Sequence, residues 1–149
     1  ANGIAKHGAK LVNAVACSTV PKITLIIGGS YGAGNYAMCG RAYSPDFLFT
    51  WPNARIAVMG GAQAAQVLTQ VKADQCARRN EAWPQKEQTR FKAMIEAQYN
   101  DRSHAFVASG QLWDDGVINP QDTRAVLSKT LSIVNNKATR QTQYGVFRM

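Results

Sequence analysis

Residues Ile23–Met38, I-T-L-I-I-G-G-S-Y-G-A-G-N-Y-A-M, constrain this chain more than any other stretch. The run Ile23–Ile27 is apolar apart from Thr24, the pattern of a strand covered on both faces. Pro21 before it and Gly28-Gly29 after it leave too little room for a helix. Four glycines then fall within seven positions, Gly28, Gly29, Gly32 and Gly34. They permit a sharp turn and a close approach to the backbone. A helix opening at Ala33 or Gly34 would leave its first N–H groups free to attract negative charge. The pattern serves a plain strand-to-helix turn and an anion cradle equally.

Several anion sites are excluded by spelling. No Lys-Ser/Thr follows the glycines, so the segment is not a nucleoside triphosphate loop. Gly32-Ala33-Gly34 is not completed to G-x-G-x-x-G, and Ser30 is not the centre of G-x-S-x-G. The rest of the chain reads as strands alternating with helices, an α/β arrangement. Helices are expected near residues 3–17, over Gly34–Cys39, after Gly60-Gly61 and after Pro84. Strands are expected at 22–27, Phe47–Trp51 and Arg55–Met59. Phe91, Met94, Ile95 and Tyr99 form an apolar stripe suited to core or subunit interface. Asn119-Pro120-Gln121-Asp122 predicts a capped start for a last helix through Leu127, Leu131 and Val134.

The net charge is +8, but the basic residues are scattered; only Arg78-Arg79 are adjacent, and no basic run alternates with aromatics. This argues against nucleic acid. Cys17, Cys39 and Cys76 have no paired or metal-ligand spacing, so no disulfide, zinc or other metal site is expected. Cys39 reads as buried packing, and His7 and His104 as structural or solvent-facing. No apolar run approaches the ~20 residues that span a bilayer.

The segment Pro21–Gly61 resembles the C-terminal half of biotin-dependent acyl-CoA carboxyltransferases, and within them the methylcrotonoyl-CoA carboxylase β subunits. So do G-I-A-K-H-G-A-K from Gly3, L-W-D-D-G-V-I-N-P-Q-D-T-R from Leu112 and the terminal Y-G-V-F-R-M. The region from about Lys72 to Phe106 is less similar, and no functional residue is carried over there. The resemblance implies a crotonase-like ββα spiral. It implies that residues 1–149 are the C-terminal part of the carboxyltransferase C-terminal domain, with the N-terminal half absent from this chain. Only two or three strands are convincing, and Ala1 falls inside a helical pattern, so an incomplete fold is expected. A targeting peptide upstream would then be out of view.

The resemblance further implies transfer of CO2 from carboxybiotin to 3-methylcrotonoyl-CoA in leucine degradation. In the family, two successive backbone N–H groups hold the biotin ureido oxygen; in register they fall on Ala33 and Gly34, with Tyr31 and Gly32 beside them in the cofactor site. The base is the biotin nitrogen itself, so no side-chain base is required. Asp114-Asp115 are read as structural, holding the last helix. The biotin acceptor Ala-Met-Lys-Met is missing; Lys92-Ala93-Met94-Ile95 comes nearest. Biotin must come on a separate α subunit, which alone uses ATP, while the coenzyme A thioester is substrate. Further β subunits in a hexameric ring (an α6β6 holoenzyme) are implied, located in the mitochondrial matrix of a eukaryote or the cytoplasm of a bacterium. The fragment alone is expected to be inactive. Competing readings are a geranoyl-CoA or propionyl-CoA-type transferase and a non-catalytic subunit that completes an oligomer. An enoyl-CoA hydratase or isomerase would need a glutamate in Gly28–Met38, which has none.

Overall fold

The computed structural model describes residues 3–138, Gln141 and Gln143. Arg140 and the terminal Tyr144–Met149 motif lie outside them.

Helix α1 (Ile4–Cys17) forms over the expected span. Its last turn is closed by Lys22, whose Nζ donates to the carbonyls of Val15 at 3.2 Å and Ser18 at 2.9 Å. A cation there suits the negative end of the helix. Strand β1 (Ile23–Ile26) follows, then β2 (Gly29–Tyr31) and α2 (Gly32–Ala37). After a 3₁₀ turn at Arg41–Tyr43 come β3 (Phe47–Thr50) and β4 (Arg55–Ala57). Helices α3 (Gly61–Arg78) and α4 (Gln85–Arg102) form a hairpin, followed by the short α5 (Ala105–Gly110) and β5 (Gly116–Val117). A second 3₁₀ turn, Pro120–Asp122, leads into α6 (Thr123–Val134).

The strand ladders of the described residues are parallel, and one isolated antiparallel bridge joins Arg55 to His104. One sheet runs β1-β3-β5, and a smaller one pairs β2 with β4. Ile26, Leu48, Ala54 and Ala105 are buried together, with Ile56 and Val117 packed against them. The core therefore lies where the two sheets meet α5.

Strand β1 departs from the expectation of cover on both faces. It is an edge strand, only Ile26 of its run is buried, and Ile27 is 54% exposed. Helix α1, which lines a cleft together with β1, likewise buries none of its residues. Helix α2 begins and ends two residues earlier than predicted, leaving Cys39 beyond it, buried and at φ 58°. The last helix is preceded by a 3₁₀ turn with Pro120 at its first position. Asn119 caps no amide there; its side chain donates to Asp122 Oδ2 at 3.2 Å.

Asp114 and Asp115 are structural, but they hold β3 rather than the last helix. Asp115 Oδ2 accepts the Leu48 N–H at 2.7 Å, and Asp114 Oδ2 accepts the buried Thr50 hydroxyl at 2.8 Å. The last helix is tied instead by Trp51, whose indole N–H donates to Thr123 Oγ1 at 3.0 Å. The α3–α4 hairpin closes at Gly61, where a Cβ would lie 2.5 Å from Asn100 Oδ1 and 3.1 Å from the Glu96 carbonyl. At its other end the Lys72 ammonium sits 4.9 Å from the Trp83 ring centre and 4.4 Å from that of Phe91. The predicted stripe is thus divided: Ile95 is buried, Phe91 serves this cation–π contact, and Met94 is 55% exposed.

Thr50→Val leaves the Asp114 carboxylate buried without its hydroxyl donor. Full-length protein with this change should lose about 1–3 kcal/mol, read as a lower urea midpoint at unchanged slope; an unchanged midpoint contradicts the role. Asp46 accepts from Lys137 Nζ and, at 2.9 Å, from the Lys22 backbone N–H. These bonds, the Lys137 one foremost, hold its carboxyl below the ordinary 3.8. A lowered carboxyl pKa adds stability that is complete above the unfolded value and lost as pH falls through the folded one. The melting temperature of the Asp46→Asn variant should therefore approach that of the parent as pH drops below 3.8; a gap constant with pH contradicts this.

Candidate functional site

The glycine turn is built in four steps. Strand β1 ends as the Trp51 N–H donates to the Ile26 carbonyl at 2.9 Å. Arg55 N–H donates to the Gly28 carbonyl at 3.0 Å, and β2 then pairs with β4 in the register Gly29↔Arg55, Ser30↔Ile56, Tyr31↔Ala57. Tyr31 is extended, at φ −126° and ψ 140°, while Gly32 turns to φ 49° and starts α2. A Cβ on Gly32 would stand 3.0 Å from the Val58 carbonyl oxygen, so sterics and backbone angle both demand glycine.

The turn is fastened at both ends. Asn35 Nδ2 donates to Ser30 Oγ at 2.8 Å, and Thr24 Oγ1 donates to the Cys39 carbonyl at 2.7 Å. The Gly40 N–H closes on the Asn35 carbonyl at 2.7 Å, and a Cβ on Gly40 would collide with the Asn35 side chain. Asn35 and Gly40 were missed from the sequence. Their only trace is an asparagine inside the turn and a glycine five residues on.

Ala33 and Gly34 occupy the second and third positions of α2, where no carbonyl of the helix is available to their amides. Outside the helix, neither amide donates to a backbone acceptor among the described residues. Both residues are exposed, and a Cβ on Gly34 would meet nothing within 4 Å. Tyr31 folds back over the turn: a Cβ on Gly29 would be 2.6 Å from its Cε2. The ring therefore packs on the glycines and also lines a cleft.

Two clefts flank α2. The first, about 1090 Å³, lies between α1, β1 and α2 and receives Tyr31 and Gly34. The second, about 660 Å³, lies between α2, β4 and the α3–α4 hairpin and receives Gly32, Asn35 and Tyr36. The four residues singled out from the sequence are thus divided, with Ala33 lining neither cleft. Among the described lining residues, the charged side chains are Lys22 in the first cleft and Arg102 in the second. No described group of three or more His, Cys, Asp or Glu is placed to hold a metal ion. His104 serves the backbone, its Nδ1 accepting the Phe106 N–H at 3.3 Å.

A sequence profile of the carboxyl transferase domain matches residues 1–147. The chain belongs to the carboxyl transferase domain family. It is 57% identical over its whole length to the biotin-dependent 3-methylcrotonyl-coenzyme A carboxylase beta1 subunit of Mycobacterium tuberculosis, of which it covers 28%. It is 56% identical to the mitochondrial methylcrotonoyl-CoA carboxylase beta chain of Arabidopsis thaliana, covering 25% of that protein. Among solved structures, the geranyl-CoA carboxylase beta subunit of P. aeruginosa superimposes with a TM-score of 0.80 at 42% identity, over 99% of this chain and 28% of that one. The α/β fold is accordingly the crotonase-like fold of carboxyltransferases. The chain spans about a quarter of the length of these relatives.

Gly40→Ala should destabilise the full-length protein by about 1–3 kcal/mol through overpacking. Asn35→Ala removes the side-chain part of that clash, so the double variant should lose less than the sum of the two single losses. Strict additivity in a double-mutant cycle contradicts the geometry.

Proposed function

We propose that this chain supplies the C-terminal part of a carboxyltransferase site that moves CO2 from carboxybiotin to 3-methylcrotonoyl-CoA. The observation that carries the proposal is 57% identity, without loss of any part of the chain, to a 3-methylcrotonyl-coenzyme A carboxylase subunit. The lower identity, 42%, to a geranyl-CoA carboxylase makes the geranoyl thioester the second reading. Residues 1–149 belong in this proposal to the C-terminal domain, and the hole for the thioester enolate belongs to the N-terminal half.

Ala33 and Gly34 are the proposed donors to the biotin ureido oxygen, with Tyr31 and Gly32 shaping the floor beside them. Three features support the fit: two successive amides free of backbone acceptors, two exposed small residues, and open space where a Gly34 Cβ would be. Bound carboxybiotin, carried in on a separate α subunit that alone uses ATP, supplies the carboxyl group to be transferred. The two amides hold the negative charge that gathers on the ureido oxygen. Donors fixed before the reaction are worth about 3–4 kcal/mol each in such sites. Gly32, by its fixed turn, and the Ser30–Asn35 bond keep the amides aimed. Neither cleft is lined by a described carboxylate or imidazole.

Other β subunits complete the proposed assembly, as a hexamer within an α6β6 holoenzyme; a neighbouring fold, the transcarboxylase 12S core, is described as a hexamer. The proposed location is the mitochondrial matrix in a eukaryote and the cytoplasm in a bacterium. No described helix is long and apolar enough to cross a membrane.

Ala33→Val in the full-length holoenzyme tests the reading. It should cut carboxyl transfer at least about tenfold, or ~1.4 kcal/mol, with the oligomer intact by light scattering. Transfer at the parental rate removes Ala33 from the site.

A further inference from the structure

Ala33 and Gly34 lie inside a ring that one side-chain bond closes. Asn35 Nδ2 donates to Ser30 Oγ at 2.8 Å, tying the residue after Gly34 back to the middle of β2. Residues 30–35 are thereby pinned at each end. No other side chain of the segment fastens the start of α2. Tyr31, the residue before it, makes no capping bond, and Gly32, Ala33 and Gly34 have no side-chain donor or acceptor. A helix of six residues has no stability of its own to hold the segment straight. Its far end is held separately, by Thr24 Oγ1 on the Cys39 carbonyl and the Gly40 N–H on the Asn35 carbonyl, each at 2.7 Å. Loss of the Asn35 side chain would therefore loosen the end where Ala33 and Gly34 lie.

The bond matters little to the core. Neither Ser30 nor Asn35 belongs to the buried group of Ile26, Leu48, Ala54 and Ala105, and both are half-buried. Asn35 alone among the described residues lines both clefts, so water could solvate its amide from either side. Its net worth to folding is that of an ordinary hydrogen bond. Its worth to geometry is larger, because fixed donors act only where they are aimed, and an error of about 1 Å can cost about a hundredfold in rate. We propose that Asn35 is a positioning residue for carboxyl transfer: by holding Ser30 it sets the aim of the Ala33 and Gly34 amides. It acts on the rate of transfer and not on binding of the thioester. This deepens the carboxyltransferase reading and rests on it.

The test uses full-length holoenzyme whose biotin is already carboxylated, and follows a single turnover of transfer to 3-methylcrotonoyl-CoA. Ser30→Ala and Asn35→Ala should each lower the saturating rate at least about tenfold, with the half-saturating thioester concentration within about twofold of the parent. The oligomer should stay intact by light scattering. Either change opens the same ring, so the double variant should be no slower than the slower single one. Multiplied losses in the double variant, a parental saturating rate, a change confined to half-saturation, or a Ser30→Ala protein that no longer assembles would each overturn the assignment. Ala33→Val separates this outcome from the reading beneath it. If that variant is slow in the same assay and Ser30→Ala is not, only the role of Asn35 falls. If the parent transfers no carboxyl group to any acyl-CoA, the underlying reading falls as well.

Discussion

The contact between Gly32 and the Val58 carbonyl governs the rest of the turn. Val58 is positioned by β4, and β4 by its parallel ladder to β2 and by the buried Ala54 that precedes it. With that carbonyl 3.0 Å from where a Cβ would be, and φ at 49°, the chain can pass from β2 into α2 only as glycine. The axis of α2 is then set, and with it the direction of its first amides. The two clefts exist because α2 stands between them, one against α1 and β1, the other against β4 and the helical hairpin. A side chain at position 32 would therefore disturb the strand pairing, the helix start and both clefts together.

Much of this was legible in the sequence where a period or a punctuating residue was strong. Helix α1, β1, β3 and β4, and the helices following Gly60 and Pro84, lie within a few residues of their predicted places. Strand β2 was not legible: Gly29-Ser30-Tyr31 has little strand propensity, and it pairs because β4 offers a ladder. Two-residue β5 pairs with Phe49 and Thr50 through contacts across about 67 positions, which no local pattern reveals. The edge position of β1 was hidden for a different reason, since apolar composition reports what a residue prefers and not whether a partner is present. The backbone donors proposed at 33 and 34 rest on resemblance, because an amide has no residue type. The α3–α4 hairpin was legible as helices, but its apolar stripe did not show which of its residues, Leu68, Ile95 and Tyr99, would line the second cleft.

The acidic residues near the turn are used elsewhere in the scaffold. Asp114 and Asp115 hold β3, while Asp46 joins the start of β3 to Lys22 and Lys137. Among the described lining residues the charged side chains are cations, and Lys22 is itself committed to the carbonyls that end α1. In the proposed site, negative charge developing at the start of α2 would therefore meet no described lining carboxylate to oppose it. The proposed backbone donors cannot titrate and would need no reorganisation, in contrast to a lysine or a histidine placed there.

Two glycines two positions apart answer to different demands. Gly32 is required by the fold, as its backbone angle and the nearby carbonyl establish. Gly34 is not: its φ is not in the left-handed region and open space surrounds the missing Cβ. A helix start that needed only stability would prefer alanine at that position, by up to about 1 kcal/mol. The protein thus gives up helix propensity where no contact within the described chain demands it. The space kept clear lies beside two amides without backbone acceptors among the described residues, which is the opening that the proposed biotin site requires.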